Sequence, residues 1–578
     1  MSASHFTIYR LHTKGEWQQI VDDFNENREE DKKLVKHTNR KFKFTNISKY
    51  SLYTSVVKTN PNWGRTLTEL VSDLDEIQNI RQSFVLFLKV GDEIFAVTGG
   101  NGYQVLDGVK DYNFGLELLS RLIDRNDDVI KRVNDRYFTG NILGGNYQYN
   151  RRVTINTEAD FNNFFNEIYV ALPSKSITKK LGIKINTKKK DYRLLAKDSI
   201  KLGKAITLRE LDIMLGSVLQ LLQETGYDIN PFYRLNDKDS VANELDEYLI
   251  REFTQYLNST DYNGTFSIIP YYEVYDAHFI TINNDSGVKE SYETESDIAS
   301  LFKKYVELDK NHDDLMSIIT HTYLTGEIEN SEETRHNLYE HFDVKVTLNS
   351  ETYWLMGGNW HKVNRSFMEE LNKQFVNKVV NGFDHDFRIN KMNFWPHQES
   401  EGDYNYYHNE VPSLYVLDKI LYRNIEICDL LYAENDTMYF IHVKDGLSGD
   451  VRVLVDQIEH AMTIIRDGLY YDNGERIFGE FYKRIIGKIK KDDETQSQQS
   501  EAAKKFRNDF PDVKSFIRRL RRTKDIIFVF AYRPLQNHDL NRPETIESTA
   551  AKLSMVGLTE TIKDYDFKLR FMEIERDS

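Results

Sequence analysis

Apolar and polar residues alternate with a period of two through His5–His12, Ser51–Lys58 and Ser83–Val90, the mark of strands that bury one face. A further strand, Asp92–Thr98, runs into Gly99, Gly100 and Gly102, whose spacing fits a plain turn and neither nucleotide-binding fingerprint. The period lengthens to that of an amphipathic helix at Thr66–Ile80, Phe114–Arg125, Leu208–Thr225, Val241–Leu257, Asp297–Leu308 and Arg365–Val380. Between the last two, Val344–Leu348 and Thr352–Met356 predict a hairpin, with Gly357-Gly358-Asn359-Trp360 as a turn into the following helix. Ser413–Tyr422 reads as one strand, and the unbroken apolar run Asp525–Tyr532 as a strand buried on both faces. Lys488–Lys505 is polar and aperiodic, as expected of a surface insertion or linker that is mobile or a frayed helix. The mixture predicts an α/β protein of the mixed α+β kind. Its 578 residues exceed what one core holds, so several domains are expected, at 1–205, 206–395 and 396–578.

Chemistry concentrates in Ile425–Arg466. On strand periodicity Ile425, Ile427, Asp429 and Leu431 share one face, and Glu426, Cys428 and Leu430 the other. Asp429 is then a carboxylate in an apolar row. After the turn Ala433–Asp436, the strand Met438–Lys444 points Phe440, His442 and Lys444 one way and Tyr439, Ile441 and Val443 the other. A buried charge is costly unless paired or bound to a metal, so Asp429, His442 and Lys444 are expected to share a site. An amphipathic helix follows, carrying Gln457 beside the stripe Leu454, Ile458, Ala461 and Ile465.

Net charge is -15, which argues against coating of nucleic acid by the whole surface but leaves room for a local basic channel. Two clusters offer one: the run Lys188-Lys189-Lys190, and Arg518, Arg519, Arg521 and Arg522. The bland reading of each is a solvated face. Gly140–Arg152 mixes Tyr with Arg, as a base-stacking loop does, though nothing in its spacing requires one. Asp276 and His278 stand two apart on a strand, a pattern more often a surface pair than a metal site. The single Cys428 excludes an internal disulfide and agrees with a reducing cytoplasm, and no stretch approaches a membrane span.

From Asp403–Glu410 onward the order is an acid-bearing segment, a strand, a strand with Asp429, a strand with His442 and Lys444, a helix and later a buried strand. That order resembles the restriction-endonuclease-like αβββαβ core of the PD-(D/E)XK nuclease superfamily. The resemblance implies Glu410, Asp429 and the tripeptide His442-Val443-Lys444 as catalytic positions, with Gln457 accessory and His442 standing where the superfamily usually has Glu, Asp or Gln. It implies Mg²⁺ or Mn²⁺ held by Glu410, Asp429 and His442, and nucleic acid, DNA or RNA, as substrate.

The whole chain also resembles a sporadically distributed bacterial family of uncharacterised proteins, often encoded among mobile and defence genes. The shared stretches are Phe6–Leu11, Phe95–Thr98 leading into Gly102, Phe114-Gly115-Leu116, Glu426–Leu431, His442-Val443-Lys444 and Gln457. This implies a defence or mobile-element protein, as a homo-oligomer or with a partner defence protein, and the lack of a secretory signal or membrane span places it in the cytoplasm. Three functions remain open: a metal-dependent nuclease, a non-catalytic sensor of nucleic acid or protein on a degenerate nuclease fold, or a structural or assembly protein for which the hairpin is only core.

Overall fold

A computed structural model describes residues 3–12, 16–26, 28–59, 79–137, 144–155, 163–185, 190–236, 240–258, 266–268, 279–284, 289–293, 314–327, 334–382, 384, 387–392, 394–396, 400–422, 425–447, 451–470, 474–489, 498–534, 539–546 and 548–575. The fold is mixed α+β, with several sheets and more than one domain. The chain divides into two units, 1–136 with 144–243, and 137–143 with 244–578. The expected boundary at 205/206 falls inside the first of these, and that at 395/396 inside the second.

The first unit is built on a ten-stranded sheet. Thr7–Leu11 lies inside it, antiparallel to Glu93–Gly99 on one side and Ile200–Leu202 on the other. The helices Phe114–Leu122 and Leu208–Leu222 supply Phe114, Leu118, Met214, Leu215 and Val218 to its main core, as their periodicity predicts. Asp212 on the second helix is buried, with no cationic partner among the described residues. It is satisfied by the backbone N–H groups of Thr45, Asn46 and Ile47, at 2.7–2.9 Å. The helix expected at Thr66–Ile80 lies mostly outside the described residues, and its last two residues begin the strand Asn79–Val90.

In the second unit Phe342–Leu348, Glu351–Met356 and Asn359–Val363 form an antiparallel meander. Asn359–Val363 is thus a third strand, where a turn into the helix is expected. Gly357 and Gly358 both take positive φ, 55° and 68°, and so make a two-residue hairpin turn that returns the chain to the sheet. Trp354 is buried there and donates from Nε1 to Asp343 Oδ2 at 2.9 Å.

The C-terminal part carries a five-stranded sheet. Its elements in chain order are α1 (Glu401–Tyr407), β1 (Leu414–Val416), β2 (Leu430–Glu434), β3 (Thr437–Asp445), α2 (Val451–Tyr470), α3 (Val513–Arg522), β4 (Asp525–Arg533), α4 (Thr549–Thr561) and β5 (Lys568–Glu573). β1, β2 and β3 are antiparallel neighbours, while β3, β4 and β5 run parallel. Ile526 to Tyr532 on β4 are all buried, the consequence of a parallel strand covered on both faces. Leu430, Ile441, Val443 and Val529 share a core with Tyr404 of α1, so α1 lies on that face of the sheet. Helix α2 packs against β3 and α4. Of the segment expected to be a surface insertion or linker, mobile or a frayed helix, the part from Gln498 belongs to the helix Gln498–Asp509, which buries Ala502, Ala503 and Phe506; 490–497 lie outside the described residues.

Candidate functional site

Two breaks in the strand pattern build the site. The apolar run Ser413–Tyr422 does not continue as one strand. Pairing stops at Val416, and Lys419 turns the chain with a φ of 59°. Leu421–Tyr422 then pairs with Ile425–Glu426 as a separate small hairpin. The second break is at Ile427–Asp429, which leave the ladder before β2 begins at Leu430. Strict alternation would put Glu426 and Asp429 on opposite faces; the break returns them to one side. Asp418, Glu426 and Asp429 thereby bring one carboxylate oxygen each within 4.8 Å of one another.

The surrounding backbone fixes these groups. Asp429 donates its own N–H to the Ile441 carbonyl at 3.0 Å, and its Oδ2 accepts from the Val443 N–H at 2.7 Å. Glu426 Oε1 accepts from the Lys419 N–H at 2.5 Å, and Asp418 Oδ1 from Asn405 Nδ2 at 3.3 Å. Glu401 opens α1, capped by Ser400, at the helix end that favours an acid. Its Oε2 accepts from the Asp445 N–H at 3.3 Å and lies 3.6 Å from Lys444 Nζ. Asp445 is held in turn by Arg533, whose guanidinium stands 4.6 Å over the Trp395 ring, itself stacked on Tyr404 of α1. Strand end, helix start and lysine are locked together.

The charges are unbalanced. Asp418 and Asp429 are 6% and 4% exposed. Burial, reinforced by Glu426 and Asp418, holds the Asp429 carboxyl well above the usual carboxylate range. Burial beside Asp418 pushes Glu426 up to about 8, and burial raises Asp418 as well. Among the described residues, Oδ1 of the wholly buried Asn405 has no donor, and the Asp418 carboxyl meets that of Asp429. An all-oxygen, multiply acidic cluster is the donor set of a hard divalent cation. With Mg²⁺–oxygen bonds of about 2.1 Å, octahedral ligand oxygens stand roughly 3 Å apart when adjacent and 4.2 Å when opposite. The 4.8 Å within which the three oxygens fall is somewhat wider than that span, and it is the all-oxygen, acidic donor set of the residues present that fits such an ion.

Of the residues expected from the sequence, Asp429 is in the cluster and Lys444 meets Glu401, the acid next to Asp429, while Asp418 and Glu426 themselves face Lys419. Glu410 is exposed in the short turn after α1 and faces Lys505 instead. About 13 Å of helical rise separates it from Glu401, so the helix can present only one of the two at the site. His442 is wholly buried, with Phe530 as its cross-strand neighbour and its ring against the Ile427 backbone. Burial pulls it down to about 3, so the imidazole is neutral, and it is not among the convergent ligand atoms. Asp418 and Glu426 take the places expected of Glu410 and His442. Gln457 is half-buried on α2. Lys190 is exposed, while Lys188, Lys189, Asp276 and His278 lie outside the described residues. Arg518, Arg519, Arg521 and Arg522 are all on α3.

Glu401, Asn405, Asp418 and Glu426 are the residues that strand periodicity misses. The available signal was an acid closing an apolar strand, Leu417-Asp418, and the spacing Glu426-x-x-Asp429, which suits a bend and not a strand.

A model for a family of unknown function, DUF6119, matches residues 6–574. No curated protein and no solved structure matches the chain.

Proposed function

The chain belongs to this family, DUF6119, and for its C-terminal sheet we propose metal-dependent hydrolysis of phosphodiester bonds in nucleic acid, within a bacterial defence or mobile-element system. The observation that carries the proposal is the convergence of Asp418, Glu426 and Asp429 beside Glu401 and Lys444, where an antiparallel β1–β2–β3 meander leads through α2 to a parallel β4. That order supports the likeness to the PD-(D/E)XK core, with Glu401 as the acid from the first helix.

The roles follow from position. Asp418, Glu426 and Asp429 would hold one Mg²⁺ or Mn²⁺, and Asn405 fixes Asp418. A divalent ion held there supplies Lewis acidity toward a phosphoryl oxygen and the attacking water. Lys444, tethered by Glu401, offers its ammonium to a phosphoryl oxygen as charge builds on it, or orients the water. Glu401 keeps that ammonium at the cluster. His442 packs beneath the bend at Ile427–Asp429, beside the Ile427 carbonyl, and supports the ligand-bearing segment without touching substrate.

The test is a cleavage assay on single- and double-stranded DNA and RNA with Mg²⁺ or Mn²⁺, with Asp429→Asn and Lys444→Ala in parallel. Cleavage lost in both variants supports the assignment; cleavage unchanged in both removes the site. Absence of cleavage on every substrate, with Mn²⁺ binding intact, favours a sensor that keeps the cation and lacks the chemistry.

A further inference from the structure

Helix α3 reads VKSFIRRLRR and contains no acid. Phe516, Ile517 and Leu520 are buried, and the Phe516 ring packs against Phe478, Phe481, Phe506 and Phe510. The other side carries Lys514, Arg518, Arg521 and Arg522, all exposed. At 3.6 residues per turn these four fall within an arc of about 100°, and Lys514, Arg518 and Arg522 form one row about 12 Å long. Among the described residues, Lys514, Arg518 and Arg522 make no salt bridge or side-chain hydrogen bond. Arg519 is used differently, its guanidinium donating to the Asn435 carbonyl in the β2–β3 turn.

The helix dipole accounts for cations in the last turn but not for Lys514 in the first, where a positive charge is disfavoured. An undiluted positive face is also out of keeping with a chain of net charge -15. We propose that this face of α3 is a docking surface for the phosphodiester backbone of nucleic acid, separate from the acid cluster. The inference rests on the nucleic-acid reading above and adds a second contact to it.

Geometry sets the separation. The N–H of Lys524, just after α3, donates to the Asp436 carbonyl, and Asp525 pairs with Thr437 at the start of β3. Lys444 pairs with Tyr532 near the other end of the same two strands. Seven residues of strand put about 23 Å between the C-terminal end of α3 and the acid cluster. A ligand reaching both spans about seven base pairs at 3.4 Å each. Along the 12 Å row a duplex presents about seven phosphate charges, enough to engage Lys514, Arg518 and Arg522 together.

The test is fluorescence anisotropy of the full chain, without divalent ions, with labelled duplex DNA, single-stranded DNA and RNA longer than that span, across a salt series. Anionic phospholipid vesicles serve as a second polyanion. Replacing Lys514, Arg518 and Arg522 by Gln is expected to weaken binding at least tenfold at low salt, and to flatten the log–log salt slope on duplex DNA by about 3. The single reversal Lys514→Glu is expected to weaken binding in the same direction with an unchanged thermal melt. Binding to either DNA or RNA with these losses supports the surface and names the polymer. Unchanged affinity and slope in both variants overturns it, as does wild-type protein that binds vesicles but no nucleic acid. Asp429→Asn is expected to keep full binding, so failure of the chemistry and failure of the docking surface read out separately.

Discussion

Replacing Glu426 by Gln should make the metal-free protein more stable, and increasingly so as the pH rises. Burial beside Asp418 pushes Glu426 up to about 8 from an ordinary value of 4.5. The unfolded chain therefore ionises this carboxyl first. The stability it lends is fully present below about pH 4.5 and is lost as the pH climbs through 8. His442, displaced the other way, is neutral in both folded and unfolded chains above about pH 6.5, so it is silent in the upper part of that window. Each pH unit between 6.5 and 8 weighs about 1.4 kcal/mol, or about 2 kcal/mol across the interval. That is an upper figure, because Glu426 keeps some contact with water, which screens its neighbours. Urea unfolding in EDTA at pH 6.5, 7, 7.5 and 8 measures it for wild type and E426Q. Wild type is expected to lose stability over this range more steeply than E426Q, and Mn²⁺ is expected to remove the difference by neutralising the cluster. Identical slopes in the two proteins would refute the claim that these carboxylates confine one another's charge.

Four further outcomes follow from the same contacts. His442→Leu should cost about 1 kcal/mol in urea melts, because it takes the imidazole away from the Ile427 carbonyl while the apolar side chain keeps most of the packing. If it destroys the fold or abolishes Mn²⁺ binding, the imidazole is more than packing. Lys444→Ala should lower single-turnover cleavage by roughly 10²–10³ while Mn²⁺ affinity, read by calorimetry, stays near wild type. Trp354→Phe should cost about 1–3 kcal/mol, since it strips the buried Asp343 of its indole donor. Because burial pushes Asp343 up to about 7, lower pH should narrow that loss.

The parts of this fold that follow one clean period were legible in the sequence. Asp525–Tyr532 is a doubly buried parallel strand because seven apolar residues in a row leave it no wet face. Leu208–Leu222 is a core helix because its Leu, Met and Val residues fall on one stripe. Asp429 and Lys444 were also found from strand pattern, as polar residues where a strand should be apolar. The missed members of the acid cluster sit where the period breaks. Asp418 follows the last paired residue of β1, and Glu426 ends a two-residue strand, so no alternation rule assigns either a face. Choosing between Glu401 and Glu410 required knowing where α1 begins, and Ser400 as its cap settles that in the structure. The helix Gln498–Asp509 was obscured because its composition is polar, although Ala502, Ala503 and Phe506 are enough to dock it.

The most direct test of the central claim is an anomalous-scattering measurement at the manganese edge on crystals grown with Mn²⁺. A single strong peak is predicted at ligand distance, about 2.2 Å, from one oxygen each of Asp418, Glu426 and Asp429, with Lys444 Nζ nearby but not bonded to it. A crystal saturated with Mn²⁺ that shows no peak among these three carboxylates would contradict the account.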